Sequence, residues 1–114
     1  MTIDCTRDLS PAVALFRSLS DETRLAIVQH LAAGEARVTD LVGRVGLAQS
    51  TVSAHIACLR DCGLVHGRAE GRQVFYSLSR PELLDLLLAA EGLLAATGSQ
   101  VDLCSVYGRR DVVR

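Results

Sequence analysis

The sequence contains no lysine: all twelve basic residues are arginine, and thirteen carboxylates bring the formal charge to −1. That near-balance removes net charge as a signal for nucleic acid. A long apolar run is also missing. The longest, residues 83–96, is interrupted by Asp85 and Glu91 and falls short of the roughly 20 residues that span a bilayer. The start of the chain carries Asp4, Arg7 and Asp8 where a secretory leader would be apolar. The expectation is a cytoplasmic protein whose thiols stay reduced. There is no glycine-rich phosphate loop, and no histidine, carboxylate and nucleophile combine in a pattern that suggests a catalytic pocket. An enzyme is therefore not expected, nor an organic cofactor. Internal repeats and low-complexity segments are absent too.

What is present suits one small domain. At 114 residues with 49% apolar content, the chain can bury a core, and a chain this short often completes its burial against a second copy. Residues 1–9 lack a clear period and read as an N-terminal arm. Ser10 and Pro11 open a helix, with serine as the cap and proline first inside. Asp21 and Glu22 start the next, whose buried stripe is Leu25, Val28, Leu31 and Ala32. After Gly34, Arg37 and Val38 read as extended, and Thr39 caps a short helix. Gly46-Leu47-Ala48 turns the chain into a further helix, and two helices so joined form a helix-turn-helix. Two strands, residues 64–68 and 72–78, flank a turn at Ala69-Glu70-Gly71. The expected fold is mainly α with a small β-hairpin: a dimeric winged helix-turn-helix. Ser79 and Glu82 have the spacing of a capping box. The helix they open is apolar on two sides, which suits a dimer interface. Thr97-Gly98-Ser99 breaks it. The domain is thus set at residues 10–97, with residues 98–114 as a C-terminal tail.

Residues 46–63 carry the most chemistry. Val52, Ile56 and Leu59 step by four and three along one stripe of a helix. Ser50, Ser53, Ala54 and Ala57 form a small, polar opposite face. Thr51, Cys58 and Cys62 fall within roughly 40° of each other on the flank, and Gly63 ends the helix. Ala48 occupies the usual capping position, which leaves that task to Ser50 or Thr51. A lone cysteine is commonly a small buried hydrophobe. Two at i and i+4, off the core stripe, can share one ion instead. Thiolates select soft metals.

The segments Leu47–Ile56, Leu59–Val65 and Glu70–Tyr76, with Leu19–Ile27 near the start, closely resemble the ArsR/SmtB family of bacterial metal-sensing repressors. The resemblance covers residues 10–97. It implies a homodimer, paired through its first and last helices, that leaves operator DNA when an inducer binds. Arsenic-type members place two cysteines at the start of the helix near Thr39, where this chain has Arg37 and Thr39. Zinc-type members use histidines along the last helix, which here has none. Cys58 and Cys62, with Cys104 in the tail, instead resemble the CmtR-type cadmium and lead sensors, and Cys5 is a further candidate ligand. By family position Gln49, Ser50, Thr51, Ser53 and His55 would face the major groove or its phosphates, with Arg68 and Arg72 flanking the wing. His55 has helix packing as its ordinary alternative.

The expected inducer is thus Cd(II) or Pb(II). Rival readings are As(III) on the same thiols, a thiol redox switch, and a dimeric protein-interaction module without DNA binding. The redox switch suffers from geometry, since cysteines one helical turn apart rarely reach disulfide geometry without distorting the helix.

Overall fold

A computed structural model of the chain describes residues 8–103. Helix α1 spans Ser10–Leu19, α2 Glu22–Ala33, α3 Val38–Val45 and α4 Gln49–Asp61. Two antiparallel strands follow, β1 at Val65–Glu70 and β2 at Gln73–Leu78, and α5 runs over Pro81–Ala96. This is the expected winged helix-turn-helix: α3 and α4 form the two-helix unit, and β1 with β2 forms the wing.

The core assembles around α4. Its stripe of Val52, Ile56 and Leu59 is buried against Ile27, Val28 and Leu31 of α2, Leu41 of α3, Leu64 and Val65 at the wing entry, and Leu83 and Leu87 of α5. Ile27 is fully buried, whereas Leu25 and Ala32, expected in the α2 stripe, are only partly covered. Likewise Leu86, Ala90 and Leu94 of α5 are half-buried, and Leu93 is 68% exposed.

Two glycines aim α4. Gly46 takes φ +74° and donates its N–H to Val42 O, closing α3 before the turn. At the other end Gly63 takes φ +77°, with its N–H on Arg60 O and the Leu64 N–H on Leu59 O, each at 2.9 Å. That paired closure reverses the chain and sends it directly into β1.

The wing turns one residue later than expected. Glu70 pairs with Gln73, so the loop is Gly71-Arg72, and Gly71 at its first position has φ +63°, as a two-residue hairpin loop opening on glycine requires. Arg37 is extended before α3 as expected, at φ −88° and ψ 164°, but Val38 already belongs to the helix, and the strand-like pairing falls one residue earlier, on Ala36. Its N–H and C=O both bond to the Tyr76 backbone, at 3.0 and 2.8 Å, which pins the wing to the segment entering α3.

The helix starts differ from expectation, through local contacts at α1 and α3 and through a tertiary partner at α5. Ser10 lies inside α1, and Asp8 Oδ1 accepts the Ser10 N–H. Arg37, not Thr39, is the residue before α3, and Asp40 reaches back to accept the Arg37 N–H at 3.0 Å. Ser79 does not cap α5. Its hydroxyl lies 3.3 Å from His66 Nδ1, and its N–H is taken by Leu64 O. Neither Ser50 nor Thr51 caps α4, which has no side-chain cap at all. Asp21 does cap α2, accepting the Arg24 N–H at 3.0 Å.

Two outcomes follow from this packing. Leu59→Ala, at the centre of the core, is expected to cost about 2–5 kcal/mol in denaturant unfolding; a cost near zero would contradict its burial there. His30, in the last turn of α2, has a pKa below the ordinary 6.5, first because of burial and then because of Arg44. The unfolded chain regains the ordinary value and therefore binds more protons in that window. Stability should fall as pH drops from about 7.5 to about 5.5. Thermal midpoints of His30→Gln should fall less steeply over that range, and an unchanged slope would place the effect elsewhere.

Candidate metal and nucleic-acid site

Helix α4 presents two distinct surfaces. At its start Gln49, Ser50, Thr51 and Ser53 are all exposed, and no side chain accepts from the first-turn N–H groups. Backbone donors and short polar side chains thus share one face, and such helix starts favour anionic oxygen.

His55 is placed differently. Its side chain is only 20% exposed, and Nδ1 lies 4.0 Å from Asp21 Oδ2. Arg24 Nη1 stands 3.2 Å from the same ring nitrogen. A guanidinium only donates, so Nδ1 is the acceptor and the ring proton of the neutral tautomer sits on Nε2. Arg24 also donates from Nε to Ser18 O at 2.6 Å and from Nη2 to Arg17 O at 3.0 Å. One guanidinium therefore covers the last carbonyls of α1 and holds the middle of α4. Asp21, beside it, has a lowered pKa, chiefly through the Arg24 backbone hydrogen bond. His55 thus packs against Arg24 at this corner, the arrangement its sequence context gives as the alternative to a phosphate contact.

The wing arginines also divide. Arg68 donates from Nη2 to Glu35 Oε1 at 2.7 Å and from Nη1 to Glu70 Oε1 at 2.5 Å. Its guanidinium lies 5.1 Å from the centre of the Phe75 ring, and Arg37 lies 5.9 Å from the same ring. Arg37 is itself forked onto Asp40, through Nη2–Oδ1 at 2.9 Å and Nε–Oδ2 at 3.1 Å. That hydrogen bonding drops the Asp40 pKa to about 2. Two carboxylates hold the Arg68 charge and raise its pKa further, so Arg68 acts as a brace for the wing. Arg72, at the tip, is exposed and has no partner among the described residues. Phe75 lies in the expected second strand, opposite Arg68, but Glu35 was not foreseen as part of the wing, because it lies 33 residues from Arg68 in the chain.

At the far end of α4 are the thiols. Cys58 is half-buried and Cys62 exposed, and both are free. Cys62 is the C-cap residue, and its N–H bonds to Cys58 O at 3.2 Å. Its Sγ lies 2.6 Å from Ser18 Oγ. Ser18 is 3% exposed, a buried polar residue in the last turn of α1, and it too was not foreseen, since Ser18 and Cys62 lie 44 positions apart. Among the described residues no group of three or more His, Cys, Asp or Glu converges as a metal site. Cys5 and Cys104, the other sequence candidates, lie outside the described residues. The tail approaches as far as Leu103, which packs on the core. Gln29 Nε2 donates to Asp102 O, and the Leu103 N–H is accepted by Glu91 Oε2.

The remaining surface has an apolar stripe on α1 and the residue before it. Leu9, Val13 and Phe16 are 60, 45 and 58% exposed at spacings that put them on one face. None of the described helices is long and apolar enough to cross a membrane.

Comparison with known proteins gives this arrangement a family. Residues 21–66 match the family described as bacterial regulatory protein, arsR family. The chain is 36% identical over 103 residues to a probable mercury resistance operon repressor of Streptomyces lividans, covering 90% of this chain and 82% of that one. It is 41% identical to the HTH-type transcriptional regulator CmtR of Mycobacterium bovis, over 71% of this chain and 69% of the relative. Among solved structures, the homodimeric winged helix-turn-helix DNA-binding domain Mb0332 of Mycobacterium bovis superposes with a TM-score of 0.74 at 25% identity, covering 80% of this chain and 84% of that one. The helix-turn-helix, the wing and an identity sustained along nine-tenths of the chain together make this protein a member of the arsR family of bacterial regulatory proteins.

Proposed function

We propose that this protein is a homodimeric repressor that holds operator DNA through the start of α4 and the tip of the wing, and releases it when Cys58, Cys62 and Cys104 bind Cd(II) or Pb(II). As a member of the arsR family it is a metal-responsive transcriptional repressor, and its relatives are regulators, not enzymes. The observation that carries the finer reading is the position of the two thiols. They sit at the end of the same helix whose start offers Gln49, Ser50, Thr51 and Ser53 to the groove.

The donor chemistry fits a soft ion. Two sulfurs one turn apart suit a thiolate-loving metal, with Cys104 as third ligand and Cys5 as a further candidate. A soft divalent ion would supply the bonds that tie the end of α4 to the tail. The chain's own contribution is to place Cys58 and Cys62 on a rigid helix end and to give up their protons to solvent. Three thiols deprotonated against a divalent charge leave the site one unit more negative, on the helix that must meet phosphate. Both the tether and the charge oppose DNA binding, with a coupling of about 1–3 kcal/mol typical of such systems.

Dimerisation follows from the uncovered apolar surface. The Leu9, Val13 and Phe16 face of α1 and the exposed Leu93 of α5 are the kind of surface a second copy covers. On the DNA side Arg72 supplies the wing's free charge. His55 and Arg68 position the elements that carry the contacts.

The mercury resistance relative favours a second reading in which the same thiols take Hg(II). Titrating Cd(II) into reduced, metal-free protein, at the ultraviolet sulfur-to-metal charge-transfer band, should reach one ion per subunit. Cys58→Ser, Cys62→Ser and Cys104→Ser should each weaken the band. Cys62→Ser should also stay on operator DNA when cadmium is added, and normal release of that variant would sink the proposal. Running Pb(II), Hg(II) and As(III) in the same release assay ranks the inducers, and an order led by Hg(II) would transfer the assignment. For the wing, Arg72→Ala should weaken operator binding and lower the slope of log K against log salt by about 1. Arg68→Ala should show first as a lower thermal midpoint. A salt slope untouched by Arg72→Ala would remove the tip from the interface.

A further inference from the structure

The Ser18 hydroxyl stands between two partners. Oγ lies 3.0 Å from Ala14 O and 2.6 Å from Cys62 Sγ. A carbonyl only accepts, so the hydroxyl's one hydrogen is spent on Ala14. In the Ser18–Cys62 contact the thiol must then be the donor and Oγ the acceptor. At 3% exposure, Ser18 has no access to water that would replace either partner.

A metal-bound sulfur carries no hydrogen and can only accept. Ala14 O and Cys62 Sγ would then compete for the single Ser18 hydrogen. Sulfur with anionic character is the stronger acceptor, and Ala14 O still keeps its place in the main-chain ladder of α1. The hydroxyl therefore turns from Ala14 to the sulfur. We infer that Ser18 is a positioning residue of the thiol site, whose hydroxyl orients the Cys62 sulfur in the loaded state and transmits loading to the corner of α1 and α2. This rests on the reading of Cys62 as a metal ligand.

A route from that corner back to the DNA-facing helix is continuous. The Ser18 carbonyl accepts from Arg24 Nε at 2.6 Å, and Arg24 Nη1 donates to His55 Nδ1 at 3.2 Å. Ser18 thus touches α4 at its end through its hydroxyl and at its middle through its carbonyl and Arg24. Partners of this kind, one step behind a ligand, typically alter metal affinity by 10- to 100-fold when removed.

The test compares Ser18→Ala with the isosteric pair Ser18→Thr and Ser18→Val, which differ from one another only in keeping or losing the hydroxyl. Cd(II) affinity is read by chelator competition at the charge-transfer band, and operator affinity by anisotropy with and without Cd(II). The Ala and Val variants should bind Cd(II) at unchanged stoichiometry but roughly tenfold more weakly. Their metal-free operator affinity should match wild type, while the drop in that affinity on loading shrinks. The Thr variant should behave as wild type. If Ala and Val keep wild-type Cd(II) affinity and the full drop, the inference is overturned and the metal-sensing reading stands. It is equally overturned if they lose operator affinity in the metal-free state with Cd(II) affinity unchanged, since the hydroxyl would then only brace the fold. Wild-type protein that none of Cd(II), Pb(II), Hg(II) and As(III) releases from the operator would defeat the metal-sensing reading, and this inference with it.

Discussion

The burial of Val52, Ile56 and Leu59 is the constraint on which the rest of the molecule depends. These three residues face a core drawn from α2, α3, the wing entry and α5, so the rotation of α4 about its own axis is fixed by packing. Fixing one face fixes the others: Gln49, Ser50 and Ser53 must point outward, and Cys58 and Cys62 must leave along the flank. A rotation of one residue, about 100°, would bury polar groups and expose the stripe. The helix can therefore carry a contact face and a thiol pair without either being held by a dedicated scaffold.

Around that helix, charge is used mainly to set geometry. Arg24 covers the end of α1 and holds His55. Arg37 is forked onto Asp40 at the entry to α3, and Arg68 joins Glu70, beside the wing's turn, to Glu35. Each of these guanidiniums makes more than one directed hydrogen bond, which a lysine's point charge does less well. An all-arginine set of basic residues suits a small domain that fastens its corners with planar forks. Arg24, Arg37 and Arg68 are committed in this way, whereas Arg72 at the wing tip stays exposed and available to phosphate.

The sequence was most informative where a feature depended on neighbours in the chain. The stripe at positions 52, 56 and 59, the stop at Gly63 and the break at Gly98 each follow from helical periodicity or from glycine's access to positive φ. The hairpin was legible, though its turn was placed a residue early because Glu70 pairs with Gln73 rather than joining the loop. Capping was less legible. Ser79 and Glu82 have the spacing of a capping box, yet Ser79 is claimed by His66 and Leu64 at the foot of the wing. The candidate site divides along the same line. The cysteine pair one turn apart was visible locally, whereas the Ser18 contact to Cys62 and the carboxylates around Arg68 join residues 44 and 33 positions apart. No local pattern encodes such pairs.

In the proposed function, thiol chemistry at one end of α4 and DNA binding at the other share a single free energy. The most direct measurement is Cd(II) affinity determined twice, with free protein and with protein saturated by operator DNA. Linkage requires DNA to weaken metal binding by the same factor by which metal weakens DNA binding. Equal factors well above one are the predicted result. The same Cd(II) affinity with and without DNA would contradict the account, because the two ends of α4 would then act independently.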